Sequence, residues 1–130
     1  MSLPIFHLSL PVRDLDEAIG FYTTKLCAVL GRQEAMWADT ALFGAQVTLQ
    51  HYPADVSVPM PRSRHFGATL TWDGWARLTA TFSEFIEPPR IDHPDTELEQ
   101  AKALIEDPSG NLIELKAYKD PGAVLGELAL

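Results

Sequence analysis

The chain has 130 residues, 46% of them hydrophobic and 22% charged, which fits one globular domain rather than several. Eighteen acidic residues against ten basic ones leave a net charge of −8, which repels phosphate backbones and anionic bilayers and argues against nucleic acid as a partner. Cys27, the single cysteine, cannot form an internal disulfide, so a disulfide-built secreted scaffold is excluded and a reduced compartment is expected.

No apolar run approaches the roughly 20 residues that span a bilayer. The start Met1-Ser2-Leu3-Pro4-Ile5-Phe6-His7 lacks the basic and long apolar stretches of a secretory signal, so a cytoplasmic protein with no membrane partner is expected.

Ile5 to Leu10 is rich in large apolar residues, with His7 and Ser9 two apart, and Pro11 closes it; this reads as a strand. Asp14 fits a helix N-cap with Glu17 in the capping-box position. Leu15, Ala18, Ile19, Tyr22 and Leu26 then form one helical stripe over about residues 14 to 26. Between Gly31 and Tyr52 two or three short strands follow, the last being Gln46 to His51. Residues 53 to 64 carry Pro53, Pro59 and Pro61 and read as a connector.

The order of elements then repeats. His65 to Thr71 reads as a strand, followed by a helix opened by Asp73, with Trp75, Leu78, Phe82 and Phe85 on one face and Pro88-Pro89 as its stop. A short strand near Arg90 to Asp92 and two more, Gln100 to Glu106 and Leu112 to Tyr118, complete the set; Asp107-Pro108-Ser109-Gly110-Asn111 turns between the last two. The halves, about residues 5 to 52 and 65 to 118, repeat at a period of about 58 residues. Each is marginal alone, so they are expected to pack as a single α+β domain over residues 1 to 130.

Alternation along each strand separates a helix-packed face from a free one. His7, His65, Gln50 and Glu114 all fall on the free face, the histidines at equivalent repeat positions and Gln50 and Glu114 at roughly equivalent ones. Two imidazoles and a carboxylate make a donor set suited to Fe(II), Mn, Zn, Co or Ni, with coordination positions left open for a ligand. His51 and His93 read as surface residues, Cys27 as inert packing, and Lys116 and Tyr118, which share the parity of Glu114, as solvated strand-end side chains in preference to contacts for an anionic substrate. Trp37, Trp72 and Trp75 are candidates to line an aromatic pocket, with Trp75 placed in the core by its helix stripe.

The stretch from His7 to Leu15 followed by Ala18-Ile19-Gly20-Phe21-Tyr22, the segment His65-Phe66-Gly67-Ala68, and Glu106-Asp107-Pro108-Ser109-Gly110-Asn111-Leu112-Ile113-Glu114-Leu115 together resemble the vicinal oxygen chelate superfamily. That group includes glyoxalase I, fosfomycin-resistance proteins, extradiol dioxygenases and bleomycin-binding proteins. The resemblance implies paired βαβββ modules forming a curved mixed sheet with helices on its outer face, often in a homodimer. It implies metal ligation by His7, His65 and Glu114, with Gln50 at the optional fourth position, and catalytic roles for Glu114 and Gln50. Pro11 stands where glutathione-dependent members commonly carry arginine, and Gln50 where ring-cleaving members often carry an acid/base histidine, a place His51 fills if the register shifts by one. The resulting expectation is a divalent-metal-dependent lyase, isomerase or dioxygenase acting on a small molecule through two adjacent oxygens. The alternative is a binding protein that sequesters a drug or metabolite without catalysis.

Overall fold

Leu10 and Val12 are buried while His7 and Ser9 are exposed, the alternation a strand shows when one face packs and the other is free. They lie on β1 (His7–Val12) of a computed structural model that describes residues 3–129. Met1 and Ser2, which opened the N-terminal reading, and Leu130 lie outside the described residues.

Helix α1 (Leu15–Lys25) begins as expected. Asp14 is extended and its carboxylate accepts from the Glu17 backbone N–H at 2.8 Å. The Glu17 carboxylate, in contrast, does not return to the cap but takes the Arg13 guanidinium at 2.6 Å. Leu15, Ala18, Tyr22 and Leu26 are buried, which confirms the stripe. Cys27 is not in the packing; it is exposed in the left-handed region at φ 58°, where the chain leaves the helix. Three strands follow: β2 (Val29–Gln33), β3 (Trp37–Leu42) and β4 (Ala45–His51), with Phe43 and Gly44 turning the β3–β4 hairpin at positive φ.

The second half repeats the scheme with β5 (His65–Leu70), α2 (Trp72–Thr79), β6 (Glu87–Asp92), β7 (Gln100–Glu106) and β8 (Leu112–Tyr118). Helix α2 departs from the expected bounds at both ends. Thr71, not Asp73, is its N-cap, with the hydroxyl accepting from the Gly74 N–H at 3.1 Å. The helix stops at Thr79, so Phe82 and Phe85 lie beyond it. Pro88 and Pro89 do not terminate the helix: they sit in edge strand β6, where the ladder with β7 is irregular between Glu87 and Arg90 and their missing N–H groups cost nothing. A short helix α3 (Pro121–Leu125), capped by Asp120 and opened by Pro121, and a 3-10 turn over Gly126–Ala129 follow β8.

The strands form two four-stranded sheets of identical order, β1-β4-β3-β2 and β5-β8-β7-β6, each with its first strand parallel to its last. By contacts the chain divides into two compact units. The first holds the residues up to Arg64 together with Glu106–Asn111, and the second holds His65–Ile105 together with the chain from Leu112 onward. In the first unit Leu10, Val12, Ala18, Tyr22 and Leu49 are among the buried core; in the second Trp75, Ala101, Ala103, Ile113 and Leu115 are buried, and Trp75 donates its indole N–H to the Leu115 carbonyl at 2.9 Å. A fully buried leucine such as Leu49 contributes about 2 kcal/mol.

The turn Asp107–Asn111 is organised by one carboxylate. Buried Asp107 accepts from the Ser109 and Asn111 backbone N–H groups, from the Asn111 side-chain amide, and from the Tyr22 hydroxyl at 2.7 Å. The Asn111 amide also reaches the Pro11 carbonyl at 3.0 Å, and Ser109 accepts from the Arg13 N–H at 2.9 Å. This explains why these residues cluster with the first unit.

Candidate functional site

Strands β5 and β8 run parallel, with His65 opposite Leu112 and Gly67 opposite Glu114. His65 and Glu114 are therefore diagonal neighbours on one face, within reach of each other. Their side chains meet, Nε2 to Oε2 at 2.7 Å, and both remain partly exposed. Gly67 makes this approach possible. A Cβ there would fall 1.8 Å from the Glu114 carbonyl oxygen, a separation no side chain tolerates.

In the first unit His7 is opposite Gln46, and its Nδ1 lies 3.2 Å from the Gln46 carbonyl oxygen. A carbonyl only accepts, so the neutral ring carries its proton on Nδ1 and keeps the Nε2 lone pair for another partner. Gln50 donates its amide N–H to the Ser9 hydroxyl. Both residues line a pocket of about 310 Å³ with Arg32, Trp37, Asp39 and Thr48. Asp39 is its buried anchor. Arg32 donates to Oδ2 through Nε at 3.0 Å and Nη2 at 2.7 Å, and the Thr48 hydroxyl donates to Oδ1 at 2.7 Å. The Thr48 hydroxyl and then the Arg32 guanidinium hold the Asp39 carboxyl below the usual range, outweighing its burial. The guanidinium also lies over Trp37, 5.2 Å from the ring centroid.

Two of the four expected site residues, His65 and Glu114, are thus in contact, and the other two, His7 and Gln50, line one pocket of the first unit. Among the described residues no group of three or more His, Cys, Asp or Glu side chains stands close enough to hold a metal ion. The expected equivalence of Gln50 and Glu114 is corrected by the registers. His7 pairs with Gln46 and His65 with Leu112, so the counterpart of Glu114 is Thr48 and that of Gln50 is Lys116. Sequence parity placed each on the right face but not at the right step, because alternation carries no information about register. His51 is half-buried beside Met36 and Asp14 rather than fully at the surface, whereas His93 is exposed. Asp39, Arg32 and Thr48 were not singled out from sequence; alternation along β3 from Trp37 to Asp39 was the available signal.

A family model for the glyoxalase/bleomycin resistance protein/dioxygenase superfamily matches residues 5–115. The chain belongs to this superfamily. Among solved structures, a glyoxalase/bleomycin resistance protein/dioxygenase from Alicyclobacillus acidocaldarius is 29% identical with a TM-score of 0.82, over 93% of this chain and 96% of that one. A protein of the same description from Nocardioides is 26% identical with a TM-score of 0.61, over 91% and 85% of the two chains. The fosfomycin resistance protein FosX from Listeria monocytogenes shares the fold at 16% identity, with a TM-score of 0.67 over 90% and 94%. A comparison with curated proteins returned no match. No helix among the described residues is long and apolar enough to cross a membrane.

The His65–Glu114 pair fits a divalent metal by its donor chemistry. An imidazole nitrogen and a carboxylate oxygen already converge on partly exposed space, and such donors suit borderline first-row ions.

Proposed function

We propose that this superfamily member is a divalent-metal-dependent enzyme of glyoxalase or dioxygenase type, acting on a small oxygen-rich substrate through two adjacent oxygens. His65 and Glu114 would hold the ion, with Fe, Mn, Zn, Ni and Co all compatible with those donors, and homodimeric assembly is part of the same reading. When bound, the ion would polarise a substrate oxygen or acidify water.

The observation that carries this reading is the 2.7 Å approach of His65 Nε2 to Glu114 Oε2. The Glu114 carboxylate is the group able to accept or return a proton, since it has a second oxygen beyond the one facing His65. Gln50 cannot take a proton from a substrate as a carboxylate does. Its amide, already donating to Ser9, orients an oxygen-bearing group instead. His7, with Nδ1 committed to the Gln46 carbonyl, presents Nε2 as a fixed acceptor.

Metal analysis of freshly purified protein, handled anaerobically to protect Fe(II), tests the reading. Stoichiometric metal that is lost in His65→Ala with the fold retained is the expected result. Metal-free wild-type protein, with small-molecule binding indifferent to chelator and to His65→Ala, would overturn it in favour of sequestration.

A further inference from the structure

One step beyond Glu114, the row of side chains that crosses the second sheet is basic. Thr69 of β5 pairs with Lys116 of β8, and Lys102 of β7 pairs with Arg90 of β6. Between these pairs the β7–β8 register follows from the two backbone hydrogen bonds that bracket the hairpin. Asp107 N–H donates to the Asn111 carbonyl at 2.9 Å at the turn, and Lys119 N–H donates to the Glu99 carbonyl at 3.0 Å at the far end. Both contacts give the same register, which sets Lys102 directly opposite Lys116 and Leu104 opposite Glu114. Directly opposed residues share a face, so Lys116, Lys102 and Arg90 lie side by side on the face that carries Glu114.

Arg90, at the edge, is neutralised by Glu87 at 3.1 Å and Asp92 at 3.2 Å. The two lysines are not. Neither has a carboxylate partner among the described residues, and Lys116 has only the Tyr118 ring, 5.7 Å from its ammonium nitrogen. Both are half-buried, and their row is flanked by buried Leu104 and Tyr118, so their stems lie along the sheet rather than out in solvent. Like charges directly opposed on neighbouring strands work against folding. Among the described residues none of the acidic side chains forms an ion pair with either lysine. Two ammonium groups one strand apart bracket an anion, and Glu114 is two residues along the same strand, about 7 Å away.

We propose that Lys116 and Lys102 are an anion-binding pair that receives a carboxylate or phosphoryl group of the substrate, which makes the substrate a small oxygen-rich anion. The part of this that places the substrate's other oxygens at His65 and Glu114 rests on the function proposed above; the lysine pair itself stands on register and charge.

The test uses the full chain, treated with chelator and titrated with inorganic phosphate at constant ionic strength by calorimetry. Wild type should bind saturably. Lys116→Met and Lys102→Met, which keep the aliphatic stem, should each weaken binding by about tenfold or more, the loss of one charge-assisted contact. Arg77→Met, an equal charge change on α2, should bind as wild type does. Thermal melts establish folding, and Lys116→Gln and Lys102→Gln replace any methionine variant that does not fold. Absence of saturable binding in wild type, or equal binding by the lysine variants and Arg77→Met, overturns the proposal. Metal-free protein with phosphate binding intact would remove the metal reading and leave the lysine site standing; metal-loaded protein blind to phosphate would do the reverse.

Discussion

Gly67 lies directly opposite Glu114 in the parallel β5–β8 ladder, so close that a Cβ would meet the Glu114 carbonyl oxygen at 1.8 Å and its nitrogen at 2.9 Å. The obstructing atoms are backbone and cannot swing aside. Gly67→Ala must therefore push β5 from β8, separating His65 from Glu114. We expect a loss of about 1–3 kcal/mol in urea unfolding, the usual effect of overpacking. Metal affinity should fall more than the same stability loss causes when introduced at a remote site.

Tyr22 and Asp107 form the buried link between α1 and the Asp107–Asn111 turn. Removing the phenol in Tyr22→Phe leaves a buried carboxylate one donor short and should cost about 1.5–3 kcal/mol in denaturant unfolding. Asp107→Ala should cost more, because it strands several buried donors at once.

The same pair sets a pH dependence at the alkaline end. Burial, then the neighbouring Asp107 charge, push the Tyr22 hydroxyl well above the usual tyrosine value. With the folded value raised, its stabilisation is complete below the unfolded-state value of about 10 and is lost as pH rises toward the folded one. Unfolding free energy measured at successive pH values above 10 should fall in wild type, and less so in Tyr22→Phe.

Asp39 acts at the acid end with the opposite sign. Its carboxyl is held down by the Thr48 hydroxyl and by Arg32, so its stabilisation is present above the unfolded-state value of about 3.9 and is lost as pH falls through the lower folded value. Thr48→Val removes the larger cause. Denaturation profiles between pH 5 and pH 2 should be shallower for Thr48→Val and Asp39→Asn than for wild type, and parallel curves would exclude Asp39 as the titrating group.

The cap of α2 can be tested directly, since the sequence points to Asp73 and the structure places the cap at Thr71. Thr71→Ala should lower stability by about 1 kcal/mol, whereas Asp73→Ala, within the first turn, should lose only the smaller interaction of its charge with the helix dipole.

Local chemistry was enough to read the repeat, the α1 cap at Asp14, the turn around Gly110 and the face that His7 and Gln50 share on one sheet and His65 and Glu114 on the other, because caps, turns and alternation act over a few residues. The extent of α2 was misjudged for the same reason. Phe82 and Phe85 continue a helical spacing, and Pro88-Pro89 suit a helix stop as well as an irregular edge strand; only the pairing of β6 with β7 decides between them.

What the chain by itself determined, then, is which face each donor occupies and which family supplies the scaffold. Register and cross-strand neighbours came only with the tertiary structure. Hydrogen bonding between β5 and β8, far apart in sequence, brought His65 against Glu114; the β1–β4 and β5–β8 registers made Lys116 rather than Glu114 the repeat counterpart of Gln50; and the β7–β8 hairpin set Lys102 opposite Lys116. Side-chain alternation repeats every two residues, so a shift of two leaves every face unchanged while giving every side chain a new partner.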